Sequence, residues 1–254
     1  MIADMPHCRL AVGRRMRTMV GTMIRFSLFR VPVHIHLLFW VAALVWWLAL
    51  TSGYPHFIGS LFFVVALLVS LLTHEMGHAL VGRRWGGRRI EICLSWLGSS
   101  CYEEESDCAV EKHGAAVLLA GPLAGLLLPL LMYIGLIIVM PDIEQGSRLW
   151  VSMLRGQLPM EYAAHCPPML MLLGIYILQI SVWWSALNLL PIFPMDGGLL
   201  LHARMGEGCG AHIISMVITC LLSLGFFALG IWALALLMLA FAYYNYRCLL
   251  MHLE

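Results

Sequence analysis

Charge is scarce in this chain. Asp, Glu, Lys and Arg make up 11% of its 254 residues, against about 25% in a soluble domain, which excludes a protein wrapped on all sides by water. Basic residues are too few and scattered to line a face interleaved with aromatics, and the formal net charge is +1, so nucleic acid is not an expected partner. The eight cysteines (Cys8, Cys93, Cys101, Cys108, Cys166, Cys209, Cys220 and Cys248) contain no C-x-x-C pair, which removes a zinc ribbon and a disulfide framework. No small-residue cleavage site follows the first apolar run, so Arg14, Arg15 and Arg17 belong to a retained basic arm and not to a signal peptide. Hydrocarbon fills the chain instead: 61% of the residues are hydrophobic and the mean hydropathy is +0.87. Long apolar runs recur between residues 37 and 250, and the chain reads as an all-α polytopic membrane protein.

Six transmembrane helices are expected, with a short membrane-associated β-hairpin or strand segment. A basic cytosolic arm, residues 1–33, ends in an extended stretch at 26–33, where a Val-Pro step disfavours helix. The first span, about 35–50, carries Trp40, Trp46 and Trp47, as the aromatic belt of a membrane interface does. The second, about 57–81, is closed by Arg83 and Arg84. The third is about 114–140 and the fourth about 168–190, with residues 141–167 a polar connection between them. From 211 to 250 no charge appears before Arg247. That is too long for one span of about 20 residues, so Gly225 and Gly230 mark a turn between a fifth and a sixth. An even count sets the arm, the 82–112 loop, the 191–210 loop and Arg247 on one side, which the positive-inside rule makes the cytosol.

Within the second span stands His74-Glu75-Met76-Gly77-His78. Residues i and i+4 share a helix face, so His74 and His78 can offer two imidazole nitrogens to one metal ion. Glu75 leaves at a neighbouring angle, where it can reach a water on the metal but not the metal itself. Ionisable groups inside a span cost about 2.5–3.5 kcal/mol each on insertion scales, and a bound cation is the compensating partner. The motif ends five residues before Arg83, about 8 Å below the charged boundary at 1.5 Å per residue. A catalytic zinc needs a third protein ligand and an open fourth position. Asp196, in Pro194-Met195-Asp196-Gly197-Gly198 after the fourth span, lies on the same side. An ordinary Asp-Gly turn competes as its reading. Asp142, Glu144 and Glu161 fall on the wrong side, and Glu91 and Glu103 to Glu105 reach only if their loop folds back. The acidic patch Glu103-Glu104-Glu105 with Asp107 reads as a solvated turn. His34 and His36, at i and i+2, share no helix face and read as interfacial.

Three motifs in order carry a resemblance: H-E-M-G-H at 74–78, G-P-L-A-G at 121–125, and N-L-L-P-I-F-P-M-D-G-G at 188–198. The chain resembles the site-2 protease family of intramembrane zinc metalloproteases over a catalytic core of about 57–205, within a six-helix membrane domain at 34–250 and before a short cytosolic tail at 251–254. The resemblance implies one Zn²⁺ per chain on His74, His78 and Asp196, Glu75 as general base, and Asn188 orienting substrate or stabilising the oxyanion. It implies a substrate that is a membrane protein with a transmembrane helix, cut near the cytosolic face, with both termini cytosolic and a prokaryotic cell membrane as the location. Leu199 stands where the family often has Arg, and Gly125 where it often has Asn. The likeness is to the minimal core: residues 141–167 are too few for an inserted PDZ-like domain, and no regulatory domain is expected after Glu254.

The stretch 88–101 alternates like a strand and reads as an edge for an unwound substrate segment, so Pro at Ile92 or Leu94 should impair cleavage and spare zinc. The competing function is a membrane metal-ion transporter or channel using the same His/Glu/Asp cluster, which broken helices at Pro191 and Pro194 would suit. A closer rival is a membrane metalloprotease with a glutamate third ligand. Glu75→Gln separates the first pair: a protease keeps its metal and loses turnover, whereas a transporter loses transport.

Overall fold

The computed structural model describes residues 24–50, 57–85, 90–95, 98–103, 109–206 and 209–253. Most of the basic arm, Glu104, Glu105 and the Asp107–Cys108 step lie outside the described residues.

Two hairpins build one sheet. Strands β1 (Ile24–Leu28) and β2 (Val31–Ile35) are joined by Phe29 and Arg30, both at positive φ (48° and 62°), a two-residue turn whose twist suits a hairpin. Strands β3 (Ile90–Ser95) and β4 (Gly98–Glu103) form the second hairpin, and β2 pairs with β3 in parallel, Val33 opposite Ile92 and Ile35 opposite Leu94. The order is β1-β2-β3-β4. Ile92 and Leu94 therefore sit on an interior strand with both edges paired, fully buried. This narrows the sequence expectation for 88–101: among the described residues the outer strands are β1 and β4, so the β4 part of the stretch lies at an edge and β3 does not, and Pro at Ile92 or Leu94 would break the sheet itself.

Eight helices follow among the described residues: α1 (Leu37–Leu50), α2 (Phe57–Arg84), α3 (Ala109–Val139), α4 (Ile143–Leu154), α5 (Pro168–Leu189), α6 (Asp196–Met205), α7 (Gly210–Ala228) and α8 (Trp232–Leu253). Five of them (α2, α3, α5, α7 and α8) are long and apolar enough to cross a membrane, as an integral membrane protein requires. The expected first span is shorter. As a 14-residue helix, α1 reaches only about 21 Å against a hydrocarbon core of about 30 Å.

The interior divides into two apolar clusters. In one, Val31, Val33, Ile35, Ile90, Ile92 and Leu94 of the sheet meet Phe39 of α1 and Leu71, Met76 and Ala79 of α2. In the other, Leu149 and Met153 of α4 meet Met171, Ile175 and Leu178 of α5. The segment expected to be a polar connection at 141–167 thus contains a helix that buries one face. Asp142 caps it: Oδ1 accepts the Gln145 backbone N–H at 2.7 Å and Oδ2 accepts the Gln145 side-chain amide at 2.8 Å, a variant of the capping box.

The turn expected between the last two spans falls on Gly230 alone, at φ 74°. The Gly230 N–H donates to the Phe227 carbonyl at 3.0 Å and the Ile231 N–H to the Phe226 carbonyl at 2.8 Å, the Schellman pattern that calls for a residue without Cβ. Gly225 is inside α7 and faces open space. The two glycines should therefore respond in opposite directions. Gly230→Ala is expected to lower stability by about 1 kcal/mol, and Gly225→Ala to raise it by about 0.5–1 kcal/mol through helix propensity, both read by thermal unfolding in detergent.

Candidate metal centre

Helix α2 serves two tasks. Leu71, Met76 and Ala79 join the apolar cluster with the sheet, while His74 and His78, one turn apart, reach α3 and α6. Ser181 Oγ of α5 donates to Ser70 Oγ at 2.9 Å, fixing α2 against α5 one turn before His74. The backbones of α2 and α3 are in close contact: a Cβ at Gly77 would run into the Ala120 carbonyl and the Ala124 methyl. Small residues permit this approach where nothing but packing and hydrogen bonds drives helices together.

The G-P-L-A-G motif is explained the same way. Gly121 leaves the space that the His78 imidazole fills, since a Cβ there would collide with the ring. One turn on, a Cβ at Gly125 would collide with Ser185 Oγ and stand 3.7 Å from His74 Nδ1. His78 Nδ1 donates to the Val117 carbonyl at 2.7 Å. That bond fixes the tautomer and leaves the Nε2 lone pair facing inward.

The third group arrives from α6. Asp196 is its first residue, where the helix dipole favours a carboxylate. Gly197 and Gly198 let that first turn press on the backbone of Leu189, Leu190, Ile192 and Phe193, because a Cβ at either would overlap it. The Asp-Gly-Gly sequence is thus a packing requirement as well as a turn.

Asp196 Oδ2 lies 3.1 Å from His74 Nε2 and 3.2 Å from His78 Nε2, and the two Nε2 atoms are 3.2 Å apart. Glu75 is buried on the same helix, and its carboxylate belongs to the His74–Glu75–His78 group whose ligand atoms all lie within 4.8 Å of one another. Burial by itself would raise the Asp196 carboxyl, but the imidazoles of His74 and then His78 against it hold it down at about 2. It is a carboxylate at any physiological pH. With the His78 N–H committed to Val117, inward-facing lone pairs converge and repel unless a cation lies among them. Two ligands at about 2.0–2.1 Å from a tetrahedral centre are about 3.3 Å apart, close to the spacing found here. The nitrogen, nitrogen, oxygen donor set and its spacing fit a zinc ion.

The structure brings together His74, Glu75, His78 and Asp196. Asn188 does not join them by a hydrogen bond. It is buried near the end of α5, and its Nδ2 donates to the Trp184 carbonyl one turn back at 2.9 Å; the Trp184 ring lies edge-on to His74 with centroids 6.4 Å apart. Three of the competing carboxylates are engaged elsewhere: Glu91 with His34 at 3.6 Å, Asp142 in its cap, and Glu144 with Arg148 at 2.6 Å. Sequence reasoning missed a buried polar group on the last two helices, His212, Ser215 and Asn245, which bonds to the loop before Asp196. Its signal was present: a His and an Asn within apolar spans, where polar groups are costly.

Residues 62–231 match the family model of peptidase family M50. The chain belongs to that family. The matched stretch holds all four clustered residues and Asn188. Among curated relatives, the zinc metalloprotease MJ0392 of Methanocaldococcus jannaschii is 24% identical over 189 residues, 73% of this chain and 46% of that protein. Rip3 of Mycobacterium tuberculosis, whose name assigns it provisionally to the zinc metalloproteases, is 27% identical over 172 residues, 67% of this chain and 35% of that protein. The chain thus spans less than half the length of these relatives. Among solved structures it is similar to the site-2 protease from Methanocaldococcus jannaschii, at 22% identity and a TM-score of 0.48, covering 89% of this chain and 94% of that one.

The close approaches of this M50 core predict a steric effect. Gly77→Ala and Gly121→Ala are each expected to lower stability by about 1–3 kcal/mol through overpacking, and Gly135→Ala, which meets nothing within 4 Å, to have no such cost. Thermal unfolding of the three variants checks this.

Proposed function

We propose that this chain is an intramembrane zinc metalloprotease that hydrolyses a peptide bond within or near a transmembrane segment of a membrane-protein substrate, close to the cytosolic face. The observation that carries the reading is the triangle of His74 Nε2, His78 Nε2 and Asp196 Oδ2 with Glu75 buried beside it. These three side chains would hold one zinc per chain, which would supply Lewis-acid polarisation of the scissile carbonyl and acidify the attacking water. Glu75 takes the proton from that water and passes it to the leaving amine. Asn188 releases its own-helix carbonyl and donates to the developing oxyanion, a contribution of about 2.7–4 kcal/mol for such donors. Burial of the cluster keeps competing water out and strengthens each of these interactions.

A substrate helix hides its carbonyls in its own hydrogen bonds and must unwind before attack. Strand β4 is the free edge nearest α2, and we assign it the unwound segment, in the manner of strand addition.

Six crossings are the topology we favour. β2 leads into α1, and α2 returns to β3, the parallel neighbour of β2, so the α1–α2 pair leaves the sheet and comes back to the same side. With α2 crossing the bilayer, the chain between β2 and α2 has to make the opposite crossing, and α1 is the helix that begins it. The basic arm at 1–33, the sheet, Arg83, Arg84, Arg204 and Arg247 then share one side, the cytosol by the positive-inside rule, as does the 251–254 tail. A prokaryotic cell membrane is the location this reading implies, and the lipid bilayer is the second partner.

Purified protein should carry about one zinc per chain, markedly reduced in Asp196→Ala and removed by a strong chelator; full zinc in that variant would mean a different third ligand. Glu75→Gln should keep the zinc and lose cleavage of a membrane-helix substrate by about 10²–10⁴-fold. A variant that lost ion movement instead would favour a transporter. For topology, a periplasm-dependent phosphatase fused after residue 54 or 158 should be active and one fused after 107 or 208 inactive; activity at 107 would reverse the assignment.

A further inference from the structure

Helices α7 and α8 contribute nothing to the metal triangle, yet they bury a set of polar side chains that meet one peptide segment directly or through one another. Ser215 Oγ of α7 accepts the Phe193 N–H at 3.1 Å and donates to the Pro191 carbonyl at 3.3 Å. Asn245 Nδ2 of α8 donates to the Phe193 carbonyl at 2.7 Å and to the Phe241 carbonyl at 2.9 Å. With both amide hydrogens engaged, Asn245 Oδ1 accepts from His212 Nδ1 at 3.0 Å. The Phe193 ring is held as well, stacked on Tyr244 with centroids 5.8 Å apart and 8° between planes, and met edge-on by His212 at 5.2 Å. Ser215 and Asn245 are fully buried and His212 nearly so.

Both main-chain groups of Phe193 are therefore fixed by side chains from two helices, and Phe193 lies three residues before Asp196. The link to α6 is direct: Gly198 packs on the Ile192–Phe193 peptide so closely that no Cβ fits between them. Moving that peptide moves the first turn of α6, and with it the Asp196 carboxylate. Polar groups buried in an apolar span are costly unless satisfied, and each of these three finds its partner in this loop or in a residue that bonds to it.

We infer that the α7–α8 hairpin is a brace for the third metal ligand, and that Ser215 and Asn245 are positioning residues that set Asp196 through the Phe193 peptide. The inference rests on the reading of His74, His78 and Asp196 as zinc ligands. It goes beyond that reading by giving the last two helices a role in metal affinity.

The test is zinc affinity, by competition with a chelator of known strength, in full-length protein carrying Ser215→Ala, Ser215→Thr, Asn245→Ala, Asp196→Ala or Asp196→Ala with Ser215→Ala. Supporting ligands typically carry 10–100-fold in metal affinity when removed. Ser215→Ala, the mildest change, and Asn245→Ala should each weaken zinc by about tenfold or more, and Ser215→Thr, which keeps the hydroxyl, should restore it. In the Asp196→Ala background Ser215→Ala should add no further loss, because its effect runs through the missing carboxylate. The visible spectrum of the cobalt-substituted protein should change in Ser215→Ala and revert in Ser215→Thr, a response that general loosening of the hairpin would not give. Zinc affinity within twofold of wild type in Ser215→Ala overturns the brace, as does an equal loss with and without Asp196. If the wild type binds no zinc, or Asp196→Ala binds it as tightly, the ligand reading fails first and takes the brace with it.

Discussion

Electron pairs from two histidines and a carboxylate aimed at one point, in an interior that holds almost no other charge, form the interaction on which the rest of this structure depends. Such an arrangement is repulsive in isolation, so every surrounding element has to hold it in place. Helix α2 supplies two of the groups, and the sheet anchors that helix from behind through Leu71, Met76 and Ala79. Helix α3 gives the Val117 carbonyl and the vacancies at Gly121 and Gly125. The third group comes from a short helix whose first turn is pressed against the loop before it. The stretch that matches peptidase family M50, residues 62–231, contains every residue of this geometry.

The glycines of the three motifs are answers to a single spatial problem. Gly77 admits the α3 backbone, Gly121 admits His78, and Gly197 and Gly198 admit the 189–193 loop. A metal site needs its ligand atoms within a few tenths of an ångström of their places. Backbone contacts are stiffer than contacts between long side chains, so close approach of α2, α3 and α6 gives the site rigidity that apolar packing between flexible leucines would not.

The legibility of this protein in its sequence followed the range of the signals. The i, i+4 pair His74 and His78 lies on one helix, and its geometry is local. The grouping with Asp196, 122 residues away from His74, was reached by sidedness and the known order of motifs. Extended character was visible at 26–33 from the Val-Pro step and at 88–101 from alternation, but the parallel pairing of β2 with β3 was not, since it joins segments separated by two helices; the β3 part of the expected edge is interior for that reason. α4 was hidden because an amphipathic helix among prolines reads as polar by average composition. The Ser215, His212 and Asn245 group was overlooked because each residue is ordinary by itself, and their shared target, the Phe193 peptide, has no sequence signature.

The same parallel pairing has a bearing on how the chain is assembled. A hairpin such as β1–β2 closes over a turn of two residues. The β2–β3 ladder can close only after residues 36–89 have gone out and returned, which makes it a contact of high sequence separation and late formation. Until α1 and α2 are both in place, the β2–β3 ladder is open and the apolar face that receives Leu71, Met76 and Ala79 is incomplete. Completion of the four-stranded sheet is thus conditional on correct placement of the first helical pair, and the helix bearing the two histidines acquires its backing only once that placement has succeeded.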